Sequence, residues 1–183
     1  MNRDKDHRAG APRPAGQGGR RQNAAGNRRA QGRPGPRLTA RDAALRALQN
    51  VVRGDAYAAQ ALDRQLSEGG LRPDDRRLAA GIFYFALENR LYIEYALERL
   101  MDQKPETLVN DILHVAAAQL LFMDRVPDHA AVDEAVKQVR AAGREGFSGL
   151  VNAVLRGLIR ARDAGEILLP ERESDPVGWL SVR

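Results

Sequence analysis

The apolar pattern between residues 147 and 159 is the feature that most limits what this chain can fold into. Apolar side chains recur there at Phe147, Leu150, Val151, Val154, Leu155, Leu158 and Ile159. The positions i, i+3, i+4, i+7, i+8, i+11 and i+12 share one face of an α-helix but alternate irregularly between the two faces of a strand. The pattern therefore predicts an amphipathic helix with one long apolar face, and this face must pack against a core.

Earlier segments show the same helical period. Residues 39–42 have the sequence of a capping box, with Asp in place of the usual Glu, and they predict the start of a first helix. Further helices are predicted over 56–66, from Pro73 to about Met101 with a break at 88–90, over 105–123, and from Asp128 as N-cap to a loop at 143–146. Because no alternating apolar run is flanked by turn residues, the expected fold is all-α, a bundle of six or seven helices.

The predicted helix over 105–123 is apolar around most of its circumference, which is typical of a central helix. His114 interrupts this apolar surface. Because no second His, no Cys and no paired carboxylate stands at ligand spacing, His114 is a poor candidate for a metal or catalytic site. We predict instead a hydrogen-bonded histidine in the core or at its rim.

Motifs that carry catalysis are missing from the sequence. The chain has no cysteine, so disulfides, thiolate metal sites and a cysteine nucleophile are excluded. No GxSxG or HExxH pattern occurs. A phosphate-binding loop must follow a strand, and no strand is predicted before the glycines at 16–19. The residues alone therefore indicate a helical binding domain, with no catalytic residue, no metal site and no cofactor of its own.

Positive charge is concentrated at the N-terminus. Residues 1–38 hold ten Lys/Arg and two Asp, a net charge of +8, whereas residues 39–183 hold 19 Lys/Arg and 22 Asp/Glu, a net charge of −3. This tail is rich in Gly, Pro, Ala, Gln and Arg and has almost nothing to bury, so we predict that it is disordered. Two interpretations of its arginines stay open: weak, salt-sensitive binding to RNA phosphates, or a solubilising tail.

Composition divides the chain into a basic tail at 1–38, a helical domain at 39–162 and a linker at 163–183. The longest apolar run, at 82–87, is far shorter than the ~20 residues of a membrane-spanning helix. In a signal peptide a hydrophobic segment follows the N-terminal charges, and this sequence has no such segment. We therefore expect a cytoplasmic protein with no membrane partner.

Two motifs resemble the NusB family. Residues 127–136 fit the pattern P-x-x-x-x-[IV]-[ND]-E-A-V of that family, and residues 150–155 fit its pattern [FL]-[IV]-N-[AG]-[IV]-L. Further similarity extends the resemblance over about residues 39–162, at 40–45, 75–76 and 118–122. The resemblance implies two packed three-helix subdomains that bind RNA.

Two kinds of NusB-like protein compete for this resemblance. One is the stand-alone transcription antitermination factor, which binds a boxA-type RNA together with a small ribosomal protein. The other is the N-terminal domain of RsmB/Sun-type ribosomal RNA cytosine-C5 methyltransferases, which residues 124–136 and 151–160 resemble more closely. The final residues, DPVGWLSVR, also resemble the linker before the catalytic domain of those enzymes. Under this interpretation the S-adenosylmethionine-binding domain and its catalytic cysteines are absent from this chain.

Three hypotheses for function follow from these observations. The first is an RNA-binding domain that positions ribosomal RNA for a methyltransferase domain, the second is an antitermination factor, and the third is a helical protein-interaction module with no RNA role. In the first two, arginines supply phosphate contacts. We predict these RNA-binding residues: Arg37, Arg41, Arg72, Arg76, Arg77, Arg144, Arg156 and Arg160. The alternative for each is a solvated or internally ion-paired arginine.

Overall fold

A computed structural model describes residues 38–166, which form seven α-helices and one short 3-10 turn. The helices are α1 (Ala40–Val52), α2 (Ala58–Glu68), α3 (Pro73–Glu88), α4 (Arg90–Glu98), α5 (Thr107–Phe122), α6 (Asp128–Ala141) and α7 (Ser148–Asp163), with the 3-10 turn at Glu145–Phe147. Residues 38–166 contain no strand, which confirms the predicted all-α fold. The predicted disorder of the tail and most of the predicted linker concern residues outside this range.

Local sequence signals set two of the helix ends. At the start of α1, the Asp42 N–H donates to the Thr39 hydroxyl at 3.1 Å, and the Thr39 N–H donates to the Asp42 carboxylate at 3.1 Å. The predicted capping box is therefore confirmed. Between α3 and α4, the Asn89 side-chain amide donates to the Phe85 carbonyl at 3.1 Å, which satisfies a carbonyl of the last turn of α3. The predicted break at 88–90 is confirmed as well.

The predicted role of Asp128 as a helix N-cap is wrong. Pro127 takes that position with an extended backbone (φ −62°, ψ 136°), and its carbonyl accepts from the Ala130 and Ala131 N–H groups at 2.9 and 3.3 Å. Asp128 is the first residue of α6, and its carboxylate pairs with Arg162 of α7. The remaining helix ends lie within three residues of the predictions.

Helix α5 is the centre of the bundle. Helices α1, α2 and α3 pack on one another, as do α5, α6 and α7, while α5 also contacts α1, α3 and α4. Every residue of α5 from Val109 to Leu120 is buried, which confirms the prediction of a central helix. On α7, four of the seven apolar residues of the sequence pattern are fully buried, and Phe147, Leu150 and Ile159 are half-buried against the same core.

His114 is a core residue, as the sequence predicts, with 3% of its surface exposed. Its Nδ1 lies 3.0 Å from the Asn110 carbonyl, and its Nε2 lies 3.6 Å from a carboxylate oxygen of Glu94 on α4. Burial lowers the pKa of His114 from its ordinary value of 6.5, although the Asn110 carbonyl and Glu94 oppose this shift. The folded protein therefore holds this histidine neutral at neutral pH.

Replacing His114 with glutamine will weaken the dependence of stability on pH below neutrality. Because the pKa of His114 is lower in the folded state, the unfolded chain binds more protons below about pH 6.5, and the free energy of unfolding falls as the pH decreases. His114→Gln removes this contribution, so the variant will lose less stability than the wild type between about pH 7 and pH 5. Urea denaturation over a pH series measures this; equal losses would contradict it.

Candidate nucleic-acid interface

An open groove of about 480 Å³ lies beside Leu38 and the start of α1, and we name it the tail groove. It is lined by the start of α1, the connection between α2 and α3, the first turns of α3 and one residue of α6: residues 38–41, 69–72, Asp75, Leu78 and Glu134. Gly70 turns the chain from α2 towards α3 with φ +58°, a left-handed conformation that favours glycine. Leu38, the start of α1 and the start of α3 therefore meet at one groove.

Arg41 is the best-positioned cation of the tail groove. Its Nε donates to the Gln119 side-chain oxygen at 2.7 Å, and the Gln119 amide donates to the Val115 carbonyl at 2.9 Å. Partial burial lowers the pKa of Arg41, while the nearby charge of Glu134 raises it; an arginine nonetheless stays protonated at neutral pH. A neutral amide holds Arg41, and Arg41 itself forms no ion pair within residues 38–166. Its charge at the lining of the tail groove is therefore not neutralised by direct pairing.

A second groove of about 440 Å³ runs between α6 and α7, and we name it the α6–α7 groove. Its lining comprises Asp133, Val136, Lys137, Arg140, Ser148, Gly149 and Asn152. Lys137 and Arg140 are both exposed, and neither is among the predicted RNA-binding residues. The sequence carried a signal for them: Asp133, Lys137 and Arg140 are spaced i, i+4, i+7 on the polar face of the predicted helix.

The two grooves lie on either side of the same turn of α6. Glu134 lines the tail groove, whereas its neighbour Asp133 and Lys137 line the α6–α7 groove. The Gln138 amide donates to the Asp42 carboxylate at 2.9 Å and fixes this turn against the start of α1. Glu134 raises the pKa of Lys137, chiefly by a hydrogen bond, and the Arg41 charge slightly opposes this. Arg41 of the tail groove and Lys137 of the α6–α7 groove therefore both lie near Glu134.

Three of the predicted arginines lie at or beside these grooves. Arg41 and Arg72 line the tail groove, and the Arg72 Nε lies 3.2 Å from the Asp75 carboxylate. Arg156 is exposed on α7, and its Nε donates at 2.9 Å to Asn152, which lines the α6–α7 groove. Arg41 and Arg72 come from α1 and the α2–α3 connection, so only the fold brings these two together; Arg156 itself lines neither groove.

The other predicted arginines line neither groove. Arg77 pairs with Asp74 and Arg144 pairs with Glu106, which is the structural alternative considered for each of them. Arg76 and Arg160 are exposed and form no ion pair within residues 38–166. Arg37 lies outside the described residues.

Arg162 has a structural role that sequence reasoning missed. It donates two hydrogen bonds to the Asp128 carboxylate at 3.0 and 2.8 Å, one to the Leu120 carbonyl at 2.8 Å, and two to Asp163 at 2.9 and 2.7 Å. These bonds raise the pKa of Arg162, Asp128 having the largest effect, and they lower the pKa of Asp128. Arg162 thus joins the ends of α5, α6 and α7.

The polar side chains that line the two grooves are four cations, three carboxylates, one amide and two hydroxyls. The cations, the amide and the hydroxyls can donate hydrogen bonds to phosphate oxygens, whereas the carboxylates cannot. Among residues 38–166, no group of three or more His, Asp or Glu side chains is arranged to hold a metal ion. In the same part of the chain, no helix is long and apolar enough to cross a membrane.

Curated proteins related to this chain include ribosomal RNA methyltransferases. The probable ribosomal RNA small subunit methyltransferase B of Synechocystis sp. is 31% identical over 139 residues, which cover 74% of this chain and 31% of that protein. The corresponding protein of Bacillus subtilis is 29% identical over 68% of this chain and 28% of its own length. Ribosomal RNA small subunit methyltransferase B of Pseudomonas syringae pv. tomato is 36% identical over 78% of this chain and 30% of its own length. The chain thus spans about three tenths of the length of these relatives.

The fold is also similar to a solved structure of T. maritima NusB. The TM-score is 0.60 at 25% sequence identity, and the similarity covers 68% of this chain and 91% of that protein. The model of the NusB family matches residues 38–160, which include α1 to α6 and most of α7. From this match and the shared arrangement of helices, we conclude that the chain belongs to the NusB family.

Proposed function

We propose that this chain is the RNA-binding part of a ribosomal RNA small-subunit methyltransferase, and that it positions ribosomal RNA in the cytoplasm for a catalytic domain outside the chain. The observation that carries this proposal is the tail groove, in which a neutral amide orients Arg41 without neutralising it. The names of the curated relatives support ribosomal RNA as the ligand. S-adenosylmethionine would be bound by the catalytic domain and not by this chain.

The geometry of the grooves suits a nucleic-acid backbone. Both are open at the surface, they adjoin across α6, and they hold cations on both sides of that helix: Arg41, Arg72, Lys137 and Arg140. Phosphate contacts of this kind fix the register and orientation of RNA but carry little sequence information. Neither groove is lined by a histidine or by a pair of facing acid and base groups, so the arrangement supports positioning rather than bond cleavage.

A stand-alone antitermination factor is the second candidate. The observation in its favour is the similarity to T. maritima NusB, which covers 91% of that protein. This function predicts preferential binding to a boxA-type RNA, strengthened by a ribosomal protein partner. The third hypothesis, a protein-interaction module with no RNA role, predicts that neither RNA binds.

The proposal is tested by filter binding of the full chain to small-subunit ribosomal RNA fragments and to a boxA oligonucleotide over a series of salt concentrations. We expect preference for a ribosomal RNA fragment, and log affinity that falls linearly with log salt concentration. Preference for boxA would favour the antitermination factor, and absence of binding to both RNAs at low salt would refute both RNA hypotheses.

Replacing the ten Lys/Arg of residues 1–38 with glutamine separates the tail from the grooves. We expect this variant to bind more weakly and with a shallower salt dependence, because fewer phosphate contacts release fewer counterions. It will still prefer the same RNA if the grooves position that RNA. Complete loss of binding at low salt would assign the affinity to the tail and contradict the role of the grooves.

A further inference from the structure

We propose that Glu134 is a specificity-determining residue of the RNA interface, because its carboxylate lies between the two grooves and competes with RNA phosphate for the cations on either side. The inference rests on the proposed RNA-binding function and deepens it. According to this inference, the charge of Glu134 weakens the binding of polyanions that do not contact the cations of both grooves.

Glu134 is held at this position by contacts on α6. Its carboxylate accepts from the Lys137 Nζ at 2.6 Å, and its side chain is only 24% exposed, so it has little freedom to turn away into solvent. It lines the tail groove while its partner Lys137 lines the α6–α7 groove. The bond from Gln138 to Asp42 prevents this turn of α6 from moving away from α1. The carboxylate is therefore a fixed negative charge between the grooves.

The charges of the two grooves nearly cancel one another. Their linings contain four cations and three carboxylates: Arg41, Arg72, Lys137 and Arg140 against Asp75, Asp133 and Glu134. Asp75 pairs with Arg72 within the tail groove alone. The charge of Glu134, in contrast, acts on Lys137 and on Arg41, which belong to different grooves.

An RNA that crosses from one groove to the other must therefore bring phosphate close to Glu134. Repulsion between like charges opposes this approach, and Lys137 must exchange its carboxylate partner for a phosphate. An RNA whose backbone reaches both Arg41 and Lys137 recovers this cost through two new contacts, whereas a loosely bound strand recovers none. Discrimination by a repulsive group against the wrong partner is a general means of specificity.

The test compares wild type with Glu134→Gln, which removes the charge and keeps the size of the side chain. Fluorescence anisotropy is measured for the full chain with two labelled RNAs, polyuridylate and the small-subunit ribosomal RNA fragment. We expect the affinity of Glu134→Gln for polyuridylate to rise roughly two- to fivefold, the range expected for a partly exposed ionic interaction. Affinity for the ribosomal RNA fragment will rise less, so the ratio of the two affinities will fall.

Glu106→Gln is the matched control. Like Glu134→Gln, this change removes one negative charge and releases one basic side chain, here Arg144, from an ion pair. Glu106 and Arg144, however, line neither groove. We expect little change in the affinity ratio for this variant. An equal rise in polyuridylate affinity in both variants would overturn the proposal, because it would reflect only the total charge of the chain.

The remaining outcomes separate this inference from the proposed function. Unchanged or weaker polyuridylate binding by Glu134→Gln, with unfolding in urea unaltered, would overturn the role of Glu134 even if the wild type prefers ribosomal RNA. Conversely, a wild type that binds both RNAs equally well would refute the proposed function, while a rise in polyuridylate affinity in Glu134→Gln would still show the competition. If neither protein binds either RNA, both proposals fail.

Discussion

Replacing Arg162 with methionine will lower the free energy of unfolding by about 2 kcal/mol, the range for hydrogen bonds to charged groups reduced for partial exposure. Methionine keeps much of the apolar stem but removes all five hydrogen bonds of the guanidinium. The Leu120 carbonyl then loses its donor from Arg162, and Asp128 loses both of its bonds to α7. The ends of α5, α6 and α7 are no longer joined, so the loss affects the whole C-terminal half of the bundle.

Urea denaturation of the wild type, Arg162→Met and Arg160→Met measures this effect. Arg160 lies in the same last turns of α7 and forms no ion pair within the described residues, so its replacement should change stability by less than about 0.5 kcal/mol. Arg162 lowers the pKa of Asp128, and the stabilisation is therefore present above the ordinary value of 3.8 and lost as the pH falls through the lowered pKa. The difference between the wild type and Arg162→Met should shrink in that acidic range. Equal destabilisation by both substitutions would contradict the prediction.

Replacing Arg41 with methionine will weaken binding of the small-subunit ribosomal RNA fragment by about tenfold, within the range for a positioned arginine. Among the cations that line the two grooves, Arg41 is the one whose side chain is held by a neutral amide, with its Nε at 2.7 Å from the Gln119 side-chain oxygen. Because Arg41 is bonded to an uncharged amide, an arriving phosphate displaces no carboxylate that is paired directly with it, although the charge of Glu134 acts on Arg41 from nearby. A less constrained arginine loses more side-chain entropy on binding, and an ion-paired arginine must first give up its partner.

Arg46→Met is the matched control for this experiment. Arg46 is exposed on the same helix and lines neither groove, so the variant loses the same charge at a neighbouring but different place. We expect its affinity to fall less than about twofold at moderate salt, because screening weakens interactions between distant exposed charges. Similar losses in both variants, measured by anisotropy at the same salt concentration, would show that only total charge matters and that Arg41 has no special position.

The parts of the fold that depend on local sequence were predictable. The apolar period of α7, the capping box at Thr39 and the break at Asn89 each follow from residues within a few positions of one another. The wrong assignment of Asp128 as N-cap has the same origin, because its true partner, Arg162, is 34 residues away. A pattern of nearby residues contains no information on such a contact.

The candidate site was predictable to a lesser degree. Arg72 and Arg77 each have a carboxylate three residues away, so their ion pairs could be predicted from the sequence. The ion pair of Arg144 with Glu106 joins residues 38 positions apart and could not be predicted from the sequence. The special position of Arg41 depends on Gln119 of a helix that is distant in sequence, and only the packing of α1 on α5 reveals it. The family resemblance implied RNA binding, but three-dimensional contacts decide which cations are free of ion pairs.

Under the proposed function, the capping box at the start of α1 has a consequence for how RNA is captured. Thr39 is bonded to Asp42, Asp42 to Gln138 of α6, and Leu38, the last residue of the basic tail, lines the tail groove. The ten Lys/Arg of residues 1–38 belong to the segment of sequence that ends at this residue. An RNA strand held by any of them meets Arg41 at a local effective concentration instead of its concentration in solution. Weak contacts in the tail and in the grooves then combine as avidity, and the benefit is greatest when RNA is dilute.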